Sequence, residues 1–409
     1  MTTTPLIFAD NNATTPVAPE VVEAMRPYFG ADFFNPSSMY EPALRVAGAL
    51  KAARKAVADF LGGVEPSEVL FTSCATESNN TAIFGVAAAN PARKHILTSA
   101  VEHPAVLEVC REMQRRGYEL TVLPVDRQGQ ISTADFVRAL RPDTLLVSLM
   151  HANNETGVIW PVGEWARIAK ETDSRIVFHT DATQTAGKLP LELDGELSPV
   201  DLLSFSGHKM HAPKGVGALF VRRGTPLRPF LLGGHQESAR RGGTENVPYI
   251  VGLARACELA REHAPEMVRI GKLRDGLEEE ILRTVPHVEV NGRGVLRTPN
   301  TLNMACHFIE GESILYEVNG HGICASTGSA CSSGSLEPSH VLKAMGVPFT
   351  AMHGSVRLSF SAYTTETEVR RIAEVFPRVV ANLRNMSPYW DQKRNCPREN
   401  PAAPGGKPG

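Results

Sequence analysis

No run of this 409-residue sequence approaches the ~20 consecutive apolar residues of a membrane-spanning helix. The segment from Met1 to Pro5 lacks a basic stretch followed by an apolar one, so no secretory leader is expected and the cytoplasm is the expected compartment. Charge of one sign is also missing. The formal net charge is −2, which gives no global pull toward nucleic acid or a membrane surface. The seven cysteines include no CxxC pair and their number is odd, so neither a disulfide framework nor a zinc site of the usual spacing is expected, and no metal is assigned. No GxGxxG follows the first apolar run, which excludes the dinucleotide fingerprint. No internal repeat is present.

The composition that remains is that of a globular protein, 42% hydrophobic and 21% charged. Single cores stop growing at roughly 250–300 residues, so two domains are expected. Short apolar, β-branched runs alternate with amphipathic stretches: Val69–Thr72, His95–Thr98, Leu120–Leu123, Leu145–Ser148, Ile176–Phe178, Leu202–Phe205 and Gly217–Val221. Seven such runs predict an α/β domain on a largely parallel sheet. Apolar residues between Pro42 and Leu61 are spaced for a long helix. Beyond about Arg261 the texture becomes α+β, with a helix over Met267–Val285, strands near Val288–Val290, Thr301–Met304 and Val356–Ser359, and a last helix from Thr365 to about Asn385. Ser387–Gly409 is rich in Pro and Gly and is expected to be a mobile tail.

Ligands of open α/β sheets bind outside the carboxyl ends of the strands. The unusual polar residues collect just after those ends: Cys74-Ala-Thr-Glu77, Glu102-His-Pro104, Asn153-Asn-Glu-Thr156, Asp181 with Gln184, and Ser206-Gly-His-Lys209. Lys209 sits among small residues and could form a Schiff base with an aldehyde, or be a surface lysine. A carboxylate at Asp181 could hold a pyridinium nitrogen protonated, or simply cap a helix. His103 could stack on a planar ring or move protons, or serve only the structure. Thr76, where a strand gives way to a helix, fits a phosphate site or a plain cap, and Ser206 and His208 could add phosphate contacts. Singly these signals are weak; together, in this chain order, they describe a pyridoxal-phosphate pocket.

The chain resembles the class V aminotransferase-like pyridoxal-phosphate enzymes, and among them the cysteine desulfurases of the nitrogenase-associated NifS type, from about Phe8 to Trp390. The matching segments include Asp10-Asn-Asn-Ala-Thr-Thr15, Phe71-Thr-Ser-Cys-Ala-Thr-Glu77, Ala152-Asn-Asn-Glu-Thr-Gly157, Ala212-Pro-Lys-Gly-Val-Gly217, Arg241-Gly-Gly-Thr-Glu-Asn246, and the run from Gly328 through Cys331 to His340. The resemblance implies the α/β fold type I of such transferases. A large domain over residues 16–260 would bind the cofactor. A small domain over 1–15 and 261–386 would carry the catalytic cysteine, with 387–409 as the tail.

It also implies roles. Lys209 would hold pyridoxal 5'-phosphate covalently. His103 would stack on its ring and move protons, Asp181 would pair with the ring nitrogen, and Gln184 would bond the ring hydroxyl. The backbone of Ala75, with Thr76, Ser206 and His208, would bind the phosphate. Thr244 would reach the phosphate in a neighbouring subunit, which makes a homodimer. Asn154 and Arg357, with Asn12, would hold the carboxylate of L-cysteine; a planar guanidinium suits that task. An iron–sulfur scaffold protein serving nitrogenase maturation would accept the sulfur. Two positions depart from the pattern: Ala362 stands where relatives commonly carry arginine, and Thr327 where serine is common.

Cys331 lies in Ser326-Thr-Gly-Ser-Ala-Cys-Ser-Ser-Gly-Ser335, almost entirely small residues, which suits a thiol that must attack in a pocket and then deliver outward. Thiolate is the attacking form. Cys110, Cys257, Cys306 and Cys324 sit in apolar contexts and are expected to be buried, inert thiols; Cys74 lies beside the phosphate loop. Alternatives on the same scaffold are a selenocysteine lyase, which should reject cysteine, and an aminotransferase, which should need a keto acid. A non-catalytic scaffold protein would be colourless when purified.

Overall fold

The computed structural model describes residues 6–327, 338–391, 393–394 and 396–398. The seven apolar runs form one seven-stranded sheet. Its order is Val69–Thr72, Gly217–Val221, Leu202–Ser206, Val177–Asp181, Thr144–Ser148, His95–Ser99, Glu119–Leu123. Only Gly217–Val221 runs against its neighbours; the pairings across the rest of the sheet are parallel. Alternate residues feed two separate cores. Phe71, Leu97, Val147, Phe178, Leu203 and Phe220 face one, and Leu70, Ile96, Leu146, Val177, Leu202 and Leu219 face the other. Burial on both faces is why six of these strands read as continuous apolar runs rather than alternating ones, whereas edge strand Glu119–Leu123 is buried fully only at Leu123.

Helices cover both faces. Ala75–Ala89 and Pro104–Arg115 close one core, and Glu41–Phe60, Val162–Thr172 and Val247–Glu262 close the other. Helix Ala75–Ala89 is buried on most of its surface, so its sequence carries little helical periodicity.

A third core lies under an antiparallel sheet of Ser355–Ser359, Thr301–Cys306 and Val288–Val290. Helices Ala264–Thr284, Gly311–Gly320 and Glu366–Met386 pack on it. The chain start belongs here: Ile7–Phe8 pairs in parallel with Ile323–Cys324, and Asp10 bridges to Ser359. Residues 11–15 then cross to the large sheet, where the Thr15 N–H donates to the His208 carbonyl. No described helix is long and apolar enough to cross a membrane.

The start of the expected tail is structured. Trp390–Asp391 pairs with Cys396–Pro397, and the Trp390 indole is buried against His287 and Phe308 with the Arg384 guanidinium 4.9 Å from its ring centre. A single indole with a ready-made slot outweighs the Pro- and Gly-rich composition around it. Cys110, Cys257 and Cys306 are buried as expected; Cys324 is only half-buried, at the edge of a two-residue strand pair.

Candidate active site

A cavity of about 520 Å³ opens at the carboxyl edge of the large sheet, where the third core approaches it. Eleven of the residues expected in the site line it: Asn12, Ala75, Thr76, His103, Asn154, Asp181, Gln184, Ser206, His208, Lys209 and Arg357. Thr244 does not; it is exposed in the loop before helix Val247–Glu262. Cys331 lies outside the described residues.

Lys209 ends the short 3-10 turn Gly207–Lys209 that follows strand Leu202–Ser206. Its Nζ donates to the carbonyls of Asn12 and Ala13, each at 2.7 Å. Asp181 ends strand Val177–Asp181. One carboxylate oxygen accepts from the Thr183 N–H at 2.9 Å and the other from Asn79 Nδ2 at 2.7 Å. These bonds fix the carboxylate plane. His103 lines the cavity, and its Nδ1 accepts from the Ala105 N–H at 3.1 Å, capping helix Pro104–Arg115. That bond assigns the proton to Nε2. Burial holds the imidazole below its usual pKa, opposed by Asp181 and reinforced by Lys209, so the ring is neutral near pH 7.

Helix Ala75–Ala89 starts at the cavity with Cys74 as its N-cap and no side-chain cap. Its first backbone N–H groups therefore face the cavity as donors for an anion. The buried hydroxyl of Ser206, also lining the cavity, has no hydrogen-bond partner among the described residues. His208 borders the same end, bonded through Nδ1 to Thr14 Oγ1 at 3.1 Å.

On the opposite wall the buried guanidinium of Arg357 donates to Asp10 Oδ1 at 2.7 Å and to the Asn154 carbonyl at 2.9 Å. The Asn154 loop closes with Gly157 at φ +78°, where a Cβ would meet Thr301 at 2.8 Å; only glycine suits that turn. Asn12 stands on the same wall. Its amide donates to Thr301 Oγ1 and the Asn154 carbonyl, and its Oδ1 accepts from Lys188 and Asn300. With both N–H groups and both lone pairs engaged, its side chain braces the wall.

The class-V aminotransferase family model matches residues 7–372. The chain belongs to the class-V aminotransferase family. Cysteine desulfurase 2 of Trichormus variabilis is 51% identical over 384 residues, covering 94% of this chain and 95% of that one. Cysteine desulfurase NifS of Azotobacter vinelandii is 51% identical over 398 residues, 97% of each chain. A solved NifS-like protein superposes with a TM-score of 0.86 at 37% identity, over 93% of this chain and 100% of that one. Within the class-V family these relatives place the chain among the cysteine desulfurases, and its cofactor is pyridoxal 5'-phosphate.

The cavity fits that cofactor on its own chemistry. An amine, a braced carboxylate and a phosphate-sized set of donors (the start of helix Ala75–Ala89 and the Ser206 hydroxyl) surround one space. Several residues in and around the cavity carried no role in the sequence reading. Asn79 orients Asp181. Asp10 pairs with Arg357. The Glu102 carboxyl is fully buried below His103 and accepts from Ser99 and the Met150 N–H; burial raises its pKa to about 8, aided by Asp181. Buried Glu155 accepts from Ser339 Oγ at 2.5 Å. Glu155 and Asp10 lie inside the matching motifs and Glu102 in the polar cluster after strand His95–Ser99, which are the signals that could have found them; Asn79 had none.

Residues 328–337 are flanked by anchors on the cavity wall. Ser326 exchanges backbone hydrogen bonds with Arg357 at 3.2 and 2.6 Å. On the other side Ser339 holds Glu155, and His340 Nε2 lies 3.0 Å from the Glu102 carbonyl. Burial pushes the Cys110 and Cys306 thiols up to about 12 and holds the Cys257 thiol well above its ordinary value.

Proposed function

We propose that the cavity binds L-cysteine beside pyridoxal 5'-phosphate and that the sulfur passes to Cys331. The convergence of Lys209, Asp181, His103 and Arg357 on one cavity at the sheet's carboxyl edge carries this reading. Lys209 would hold the cofactor, Asp181 its ring nitrogen and Gln184 its ring oxygen. Ala75, Thr76, Ser206 and His208 would hold its phosphate. Bound there, the cofactor supplies an electron sink for charge released at the substrate's Cα.

The chain's own groups do the rest. Arg357 and Asn154 would bind the substrate carboxylate; the Asp10 and Asn154 contacts on the guanidinium fix the plane in which it can do so. Lys209 would take the Cα proton, and neutral His103 with its proton on Nε2 is suited to pass one on. Cys331 Sγ attacks the substrate sulfur. The Cβ–S bond breaks as the S–S bond forms, so L-cysteine and the Cys331 thiol become L-alanine and a Cys331 persulfide. The flanking anchors on Arg357 and Glu155 support this assignment, because they return the chain to the cavity on both sides of the Cys331 segment.

Thr244, exposed on its loop, would complete the phosphate site of a second copy, making a homodimer. The reading extends to an iron–sulfur scaffold protein as acceptor in the cytoplasm, with nitrogenase maturation as the setting, as the NifS relative suggests. The test is alanine and sulfide release from L-cysteine with a thiol reductant. Wild type should be yellow and yield both products; Cys331→Ala should stay yellow and yield neither. A yellow wild type inert toward cysteine would overturn the substrate assignment.

A further inference from the structure

Lys188 is an interior lysine that the mechanism does not use. It sits 8% exposed beneath the cavity floor. Its Nζ donates to Gln184 Oε1 at 2.6 Å and to Asn12 Oδ1 at 3.1 Å. The other end of the Gln184 amide donates to the Asn12 carbonyl at 3.1 Å, and that same carbonyl accepts from Lys209 Nζ at 2.7 Å. Lys188, Gln184, Asn12 and Lys209 thus form one continuous chain of hydrogen bonds. A flipped Gln184 amide would set its oxygen against the Asn12 carbonyl, losing that contact, and would leave Lys188 Nζ without its acceptor.

We propose that Lys188 is a positioning residue for the reaction, holding the Gln184 amide with its NH₂ turned toward the cofactor ring. The inference rests on the reading that Gln184 meets the ring oxygen. With Oε1 taken by Lys188, Gln184 offers that oxygen a donor and never an acceptor, so the ring oxygen is held in its ionised form. The geometry works for an ammonium or an amine, since only two N–H bonds are needed. Burial, then Lys209 and Arg357, lowers the Lys188 pKa well below its ordinary value. The charged and titratable groups around Lys188 are Lys209 and Arg357, with His211, His263 and Tyr363 about a small neighbouring cavity. Replacing Lys188 leaves the buried Oε1 without a donor, which lets the amide turn and surrender its bond to the ring.

The experiment is a pH titration of the visible band of the cofactor-loaded protein, for wild type, Lys188→Met, Gln184→Ala and the double variant. A donor to the ionised ring oxygen draws charge from it and loosens the proton it shares, so losing the donor raises the pH of the transition. Lys188→Met and Gln184→Ala should each raise it by about one pH unit. In the Gln184→Ala background, Lys188→Met should add little. If Gln184→Ala leaves the titration unmoved, the reading of Gln184 fails. If Gln184→Ala moves it but Lys188→Met does not, or if the Lys188→Met shift persists undiminished in the Gln184→Ala background, the positioning role fails. Should Lys188→Met bind no cofactor, Lys188→Arg enters the same cycle: it keeps donors and should keep the wild-type transition, and a full-size shift overturns the proposal.

Discussion

One wall of the cavity hangs from the large sheet, where Lys209, Asp181 and His103 follow the ends of three parallel strands; the other hangs from the small antiparallel sheet, where Arg357 sits mid-strand. Parallel strand ends point the same way by construction, so groups placed just past them meet without further adjustment. Arg357 has no such geometry to rely on. It is aimed by Asp10 and Asn154, each belonging to a different segment, and the crossing chain at Asn11–Thr15 ties the two walls together. On the proposed reading the sheet wall is a preset cofactor platform, and the other wall is a substrate clamp whose accuracy depends on the two cores keeping their apposition.

The difference can be broken on either side. On the sheet wall, Lys209→Ala should cut alanine formation by about 10³-fold or more while leaving the unfolding transition near wild type; single-turnover alanine release checks it, and a loss under 10-fold would mean that the proton is taken elsewhere. On the clamp, Arg357→Lys keeps the charge but not the fork held by Asp10 and Asn154. It should raise KM for cysteine by about 10- to 100-fold with a smaller change in kcat, and an unchanged KM would remove Arg357 from substrate binding. Beneath the platform, the Glu102 carboxyl stays protonated up to about pH 8, whereas in the unfolded chain it ionises near 4.5. Its contribution to stability is full below pH 4.5 and is lost as the pH rises toward 8. Glu102→Gln should therefore gain on wild type across that window, by on the order of a few kcal/mol at pH 8. Urea midpoints at pH 5 and pH 8 measure it; an equal offset at both would contradict the buried protonated carboxyl.

The sequence was most legible where the fold is most regular. Most strands of the large sheet were readable because strands such as Leu202–Ser206 are buried on both faces and flanked by polar turns. Ile7–Phe8 with Ile323–Cys324, two residues each, is too short for any periodicity to register. Trp390 was hidden in Pro- and Gly-rich surroundings, its burial set by His287, Phe308 and Arg384 from remote segments. In the site, residues that carry chemistry stood out by type and place. The residues that aim them did not: Asn79 and Lys188 are ordinary in sequence and acquire meaning only through partners that folding brings close. Asn12 stood out by its motif, but its four bonds are invisible before the walls meet.

The central claim is that sulfur leaves L-cysteine for Cys331. Stoichiometric cysteine, a short reaction without reductant, and peptide mass mapping of the alkylated protein test it directly. The account predicts one added sulfur atom on the peptide carrying Cys331, formed together with an equivalent of alanine. Alanine formed with the added sulfur on Cys74, or with none on the protein, would contradict it.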